Sequence, residues 1–213
     1  MGTAGVRWNV RDLEVMPCNE WTRYKVIDGE LFVSRAPHRR HQQICVRIAE
    51  HLNRWSEATG SGESIVNPGI ILSDEDSVIP DVIWVSRERL IRLEDEAGHL
   101  SGAPELVVEA LSAGTDNERR DREAKLKLYS IHGVEEYWIV ARFTGQVQVF
   151  RRQGTQLVLI ATLITVVHRQ ATSDVPSYPP ARRGEVPPLA PLTVVPNQPP
   201  GSKHGHIGRN FRQ

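Results

Sequence analysis

Cysteine is scarce in this 213-residue chain: Cys18 and Cys45 are the only two. That excludes a disulfide scaffold or a cysteine zinc knuckle, and both are expected to be reduced, Cys18 in a leading loop and Cys45 in a helical pattern. Aromatic residues make up 6%, sparse for the sugar-stacking cleft of a glycosidase. No apolar run approaches the roughly 18 residues of a membrane span. The opening MGTAGVRWNVRDLEVMP has neither the basic start nor the apolar stretch of a secretory signal. Val6 stands where a myristoylation site wants Ser or Thr. No membrane and a cytoplasmic address are therefore expected. Net charge is absent too, but only as a sum. From Ile164 onward the chain carries +4, and the rest carries −4. An acidic body argues against generic adhesion to nucleic acid, so such a substrate would be engaged locally.

What is present is one domain's worth of short, patterned segments with a core. YKVIDGELFV, 24–33, places Asp28-Gly29 between two apolar runs, a strong type I′ hairpin signal. In HQQICVRIAEHLNRW, the spacing of Ile44, Ile48, Leu52 and Trp55 predicts one face of a helix, with His41 a turn before Ile44 and a stop at 59–62. Strands are expected at 63–72 and 78–85, around the acidic turn SDED, and at 104–112, with a short helix somewhere in RERLIRLEDEAGH. DNERRDREAKLKLYSIHG reads as a helix with Ala124, Leu128 and Ile131 inward and Gly133 as its stop. EYWIV, GQVQVFR and QLVLIATL complete the strands, the last two as a hairpin. This order predicts an α/β chain of the α+β kind, a mixed sheet with flanking helices. Residues 1–163 are expected to form the domain. Residues 164–213 are dense in proline and are expected to be a disordered tail.

Two carboxylates sit where apolar residues belong. In VIPDVIWVS, Asp81 shares a side with Ile79, Ile83 and Val85; in PELVVEALS, Glu109 shares one with Val107 and Leu111. A buried ionised carboxylate costs several kcal/mol unless compensated. For one such residue a strand-end position or an arginine partner is the simpler account. Two on successive strands favour a shared one, and convergent carboxylates are a standard way to hold Mg²⁺. Lys125 lies at the edge of the second helix's buried face, within reach of both. Its plainer reading is a surface pair with Asp121, four residues earlier. Arg39, Arg40 and Arg47, and Arg119, Arg120 and Arg122, could meet phosphates but also suit solvated helix faces.

The hairpin YKVIDGELFVSRAP, RHQ at 40–42, IPDVIWVS, APELVVEALS and DREAKLKLYSIHGVEEYWIV together resemble the Uma2 family, from about Val10 to Leu163. The resemblance implies the restriction-endonuclease-like fold of the PD-(D/E)XK nucleases. It makes Asp81 and Glu109 the metal-holding acids, helped by a backbone carbonyl near Ala110. Residue 111 is Leu rather than the usual lysine, and the matching lysine is Lys125. His41 and Glu30 match positions kept beside the site. The implied activity is Mg²⁺-dependent (or Mn²⁺-dependent) endonucleolytic cleavage of DNA, with a homodimer serving two strands. Lys25 and Ala141 depart from the acidic residues often found at their positions, and the Pro-rich run replaces an apolar ending, as an out-of-frame terminus would. The competing reading is a catalytically inactive nuclease fold that binds DNA or a protein.

Overall fold

The computed structural model describes residues 6–17, 22–35, 38–111, 116–141 and 144–164, with the backbone alone at 35, 58 and 116–121. The Pro-rich run, Cys18 and the side chains of Arg119, Arg120 and Asp121 lie outside the described residues. A short 3₁₀ helix, Val10–Val15, leads in, capped by the Asn9 side chain. Strands β1 (Thr22–Ile27) and β2 (Glu30–Arg35) then pair antiparallel, with Ile27 opposite Glu30. Both turn residues have positive φ, Asp28 at 50° and Gly29 at 70°. That is the type I′ conformation expected of Asp-Gly.

Helix α1 (Arg39–Thr59) ends at Gly60, left-handed at φ 62°. Its buried stripe is His41, Cys45, Ala49, Leu52, Trp55 and Ser56, while Ile44 and Ile48 are half-buried flanks. The face is thus rotated by about one residue from the one the isoleucines suggest, because smaller Cys45 and Ala49 let the helix sit close to the sheet.

The strand expected at 63–72 is two strands. β3 (Gly62–Val66) and β4 (Ile70–Ser73) are separated at Asn67, whose φ is 52°, followed by Pro68-Gly69. The strand expected at 78–85 is likewise divided into β5 (Asp76–Val78) and β6 (Val82–Ser86), with Asp81 at the bend just before β6. Proline removes a ladder donor and biases its predecessor, which is why Pro68 and Pro80 mark both interruptions. α2 (Arg87–Leu93) is the short helix, and β7 (Leu106–Ala110) is buried along its whole length.

α3 (Asp116–Ile131) stops before Gly133, at φ 85°. Leu128 is buried as expected, but Ile131 is 66% exposed, and the inward side is made by Lys125, Leu128 and Tyr129. β8 (Glu136–Ala141), β9 (Gln146–Gln153) and β10 (Gln156–Ile164) follow, the last two as the expected hairpin.

The strands form two sheets. One has the order β2-β1-β5-β4, so the N-terminal hairpin grows into a small sheet of its own; the other has the order β10-β9-β8-β7-β6-β3. In the larger sheet only β7 and β8 run parallel, joined across α3, and this makes it mixed. α1 covers one face, packing Cys45, Leu52 and Trp55 on Val82, Trp84, Leu106, Val108 and Trp138. The rings of Trp55 and Trp84 meet edge-on at 5.3 Å. α3 and the small sheet cover the other face, where Leu128 and Tyr129 meet Ile83, Val107, Tyr137, Ile139 and Phe150. Full burial of each such side chain contributes about 1.5–3 kcal/mol. No helix among the described residues is long and apolar enough to cross a membrane.

Two buried glutamates are structural. Glu105 accepts from Ser86 N–H at 3.0 Å and Ser86 Oγ at 2.6 Å, and pairs with Arg89 at 3.1 Å, which ties the N-cap of α2 to β7. Glu136 accepts from Trp138 Nε1 at 2.6 Å and Arg151 Nε at 2.8 Å.

Candidate active site

Asp81 and Glu109 reach the site from neighbouring parts of the large sheet. Pro80 and the bend at Asp81 turn the chain out of the ladder, and Asn67 N–H donates to the Asp81 carbonyl at 3.0 Å. Freed from strand alternation, the Asp81 side chain lies between β7 and the first turn of α1. Its Oδ2 accepts from Ala110 N–H at 2.8 Å, and its Oδ1 meets His41 Nε2 at 2.9 Å. An ionised carboxylate only accepts, so Nε2 carries the proton. The imidazole therefore orients Asp81, and the amino-terminal end of α1 favours its negative charge.

Glu109 faces the opposite helix. Its Oε2 lies 2.8 Å from Lys125 Nζ, and its Oε1 accepts from Tyr129 OH at 2.9 Å. Lys125 and Tyr129 stand four apart on α3, so both point at one strand residue. Glu109 is 6% exposed and Lys125 is 8% exposed. Burial pushes the Glu109 carboxyl above its usual range; Lys125 opposes this, the nearby charge of Asp81 adds to it, and Lys25 opposes it more weakly. The rise shows that burial and Asp81 together outweigh the two lysines.

Four of the residues expected from the sequence are thus brought together: Asp81, Glu109, Lys125 and His41. Glu30 is exposed on the hairpin and lines a groove with Ile27, Phe32, Asp76 and the α3 residues Ala124, Lys127 and Leu128; none of the four belongs to that lining. Ala141 ends β8 opposite Gln146. Arg39, Arg40 and Arg47 are exposed on α1, while Arg122 is hydrogen-bonded to Gln148 on β9.

Sequence reasoning missed two contributors. Tyr129 was visible only as a residue four beyond Lys125. Cys45, four beyond His41, joins it and Asp81 in a cluster whose donor atoms lie within 4.8 Å of one another. Burial, with Asp81 as the second cause, raises the Cys45 thiol to about 12, so without a metal it keeps its proton.

Asp81 and Glu109 are the two carboxylates here that could hold a divalent ion. Their oxygens are hard donors, and the upward push of Asp81 on Glu109 is a like-charge repulsion that a cation relieves.

The family model Uma2, described as "Putative restriction endonuclease", matches residues 10–180. The chain belongs to the Uma2 family. Among solved structures, this Uma2 chain is similar to one described as "a putative nuclease belonging to DUF820" from Anabaena variabilis, with a TM-score of 0.56 and 18% identity, covering 74% of this chain and 88% of the other. At that identity the likeness concerns the fold, which is the nuclease-like one. No curated protein matches the chain.

Proposed function

We propose that this Uma2 chain is a divalent-metal-dependent endonuclease that hydrolyses DNA phosphodiester bonds, carried by the domain within residues 1–163. The observation that supports it best is the pair Asp81 and Glu109, one held by His41 and a backbone N–H, the other by Lys125, at one end of one sheet.

In this reading Asp81 and Glu109 would hold Mg²⁺ (or Mn²⁺), which when bound polarises the scissile phosphate and lowers the pKa of an attacking water. Lys125 holds its ammonium beside Glu109 and stabilises negative charge developing on the phosphoryl oxygens. His41 fixes the rotamer of Asp81, and Ala110 N–H holds the other carboxylate oxygen. Tyr129, on the same helix as Lys125, holds the other Glu109 oxygen through its hydroxyl. Exposed Arg39 and Arg40, two residues or fewer from His41, supply phosphate contacts at the mouth. Glu30 is assigned no step. A homodimer would present one site to each strand.

A binding module without turnover has one observation in its favour: each carboxylate oxygen of Asp81 and Glu109 already has a protein partner. Turnover separates the two. The full chain is incubated with supercoiled plasmid and single-stranded DNA in Mg²⁺ or Mn²⁺, beside Asp81→Asn and Glu109→Gln. Metal-dependent cleavage lost in both variants supports the endonuclease. A folded wild-type chain that cuts no substrate with either metal leaves the binding module.

A further inference from the structure

The nuclease reading leaves Cys45 unused, although it is 1% exposed and lies against the side chain that orients the site. His41 and Cys45 are one turn apart on the inward stripe of α1, and Asp81 approaches from the sheet. One sulfur, one imidazole and one carboxylate thus converge, with donor atoms within 4.8 Å of one another. Four-coordinate zinc, with bonds of about 2.0–2.3 Å, sets its ligand atoms roughly 3.3–3.8 Å apart.

His41, 5% exposed, also has a ring nitrogen without a hydrogen-bond partner, the buried Nδ1. With Nε2–H given to Asp81, a neutral ring keeps a lone pair in a dry environment. Such an orphaned atom costs about 1–3 kcal/mol.

We propose that His41, Cys45 and Asp81 form a binding site for a thiophilic divalent ion of the Zn²⁺ class, chemically distinct from the all-oxygen pair of Asp81 and Glu109. A thiolate and an imidazole favour such an ion over Mg²⁺, which prefers oxygen donors. Capture at Cys45 exchanges the thiol proton for the metal and releases that proton to solvent. Glu109, Lys125 and Tyr129 take no part. The inference does not depend on DNA cleavage; if the nuclease reading also holds, Asp81 serves one ion or the other, and Zn²⁺ displaces Mg²⁺ from it.

The test uses full-length protein with Cys18→Ser, which leaves Cys45 as the sole thiol. Metal-free protein is titrated with Co²⁺ and followed by absorbance, with circular dichroism reporting the fold. A thiolate-to-cobalt charge-transfer band that saturates at one equivalent is expected, retained on adding Glu109→Gln. In competition with a chromophoric chelator, Cys45→Ser or Cys45→Ala should weaken Zn²⁺ binding by more than the roughly 10–100-fold typical of losing an outer-shell partner. A folded Cys18→Ser protein that shows no band overturns the proposal. So does a band abolished by Glu109→Gln in a folded variant, or Zn²⁺ affinity unchanged in both folded Cys45 variants. Cleavage is not among the readouts, so a protein that cuts no DNA leaves this result standing.

Discussion

Replacing Lys125 with methionine keeps most of the stem volume and removes the ammonium that lies 2.8 Å from Glu109 Oε2. If Glu109 stays ionised, breaking this buried pair costs about 3–5 kcal/mol. The carboxyl can escape that cost by taking up a proton, and its pKa is already raised by burial with Lys125 in place. Removing Lys125 raises it further. Between the two folded values the variant binds a proton that the native protein does not, so its stability falls relative to native as pH rises through that interval. Below both values Glu109 is neutral in either protein, and only hydrogen bonding and packing differ. Lys125→Met is therefore expected to be destabilised by about 3 kcal/mol or more at pH 8 and by much less at pH 5. Near pH 8 that corresponds to a drop in Tm of about 6–12 °C for a chain of this size. Urea unfolding at both pH values measures it, and adding Glu109→Gln should restore most of the pH 8 loss. A loss of equal size at both pH values would refute the argument, as would a loss under about 1 kcal/mol at pH 8.

Other residues give separate tests. Glu105→Gln weakens the link between Arg89, Ser86 and β7 and should cost about 3 kcal/mol in denaturant unfolding while leaving any DNA cleavage unchanged below its melting point. Gly62→Ala would set a Cβ 2.2 Å from the Val85 carbonyl oxygen, so β3 must part from β6, and a loss of at least about 1–3 kcal/mol is expected by urea unfolding. At Asp76, burial pushes the carboxyl up, but hydrogen bonds from Asp28 N–H, Ser73 and His132 outweigh it and hold the pKa below the usual range. That stability is full above the unfolded value near 4 and is lost as pH falls through the lower folded value. Asp76→Asn should thus lower the pH 7 melting temperature and flatten this part of the acid limb.

Much of the site was legible because its anomalies are local. A carboxylate among Val, Ile and Leu at alternate positions stands out in any strand, and Asp81 and Glu109 both do. Helix phase put His41 and Lys125 within reach, but only the family resemblance assigned them to the site. The phase was less secure where side-chain size, not polarity, sets the contact: α1 turns its small residues to the sheet, and Ile131, at the end of α3, points to solvent. The breaks at Asn67-Pro68-Gly69 and Pro80-Asp81 carried their own signals, but apolar residues on both sides made each pair of strands look like one. Tyr129 and Cys45 escaped notice because an inward Tyr or Cys on a helix is ordinary; only the groups facing them from the sheet give them chemistry.

Glu105, Glu109 and Glu136 are three glutamates sunk into one small protein to nearly the same depth. Two of them are clamped by arginine, whose flat fork is always charged and matches a carboxylate edge to edge. The third is held by an ammonium and a phenol, a point charge on a supple stem and a hydroxyl that can turn. Arginine makes a joint; lysine and tyrosine make a latch. Of the three, Glu109 is the one held without an arginine among the described residues.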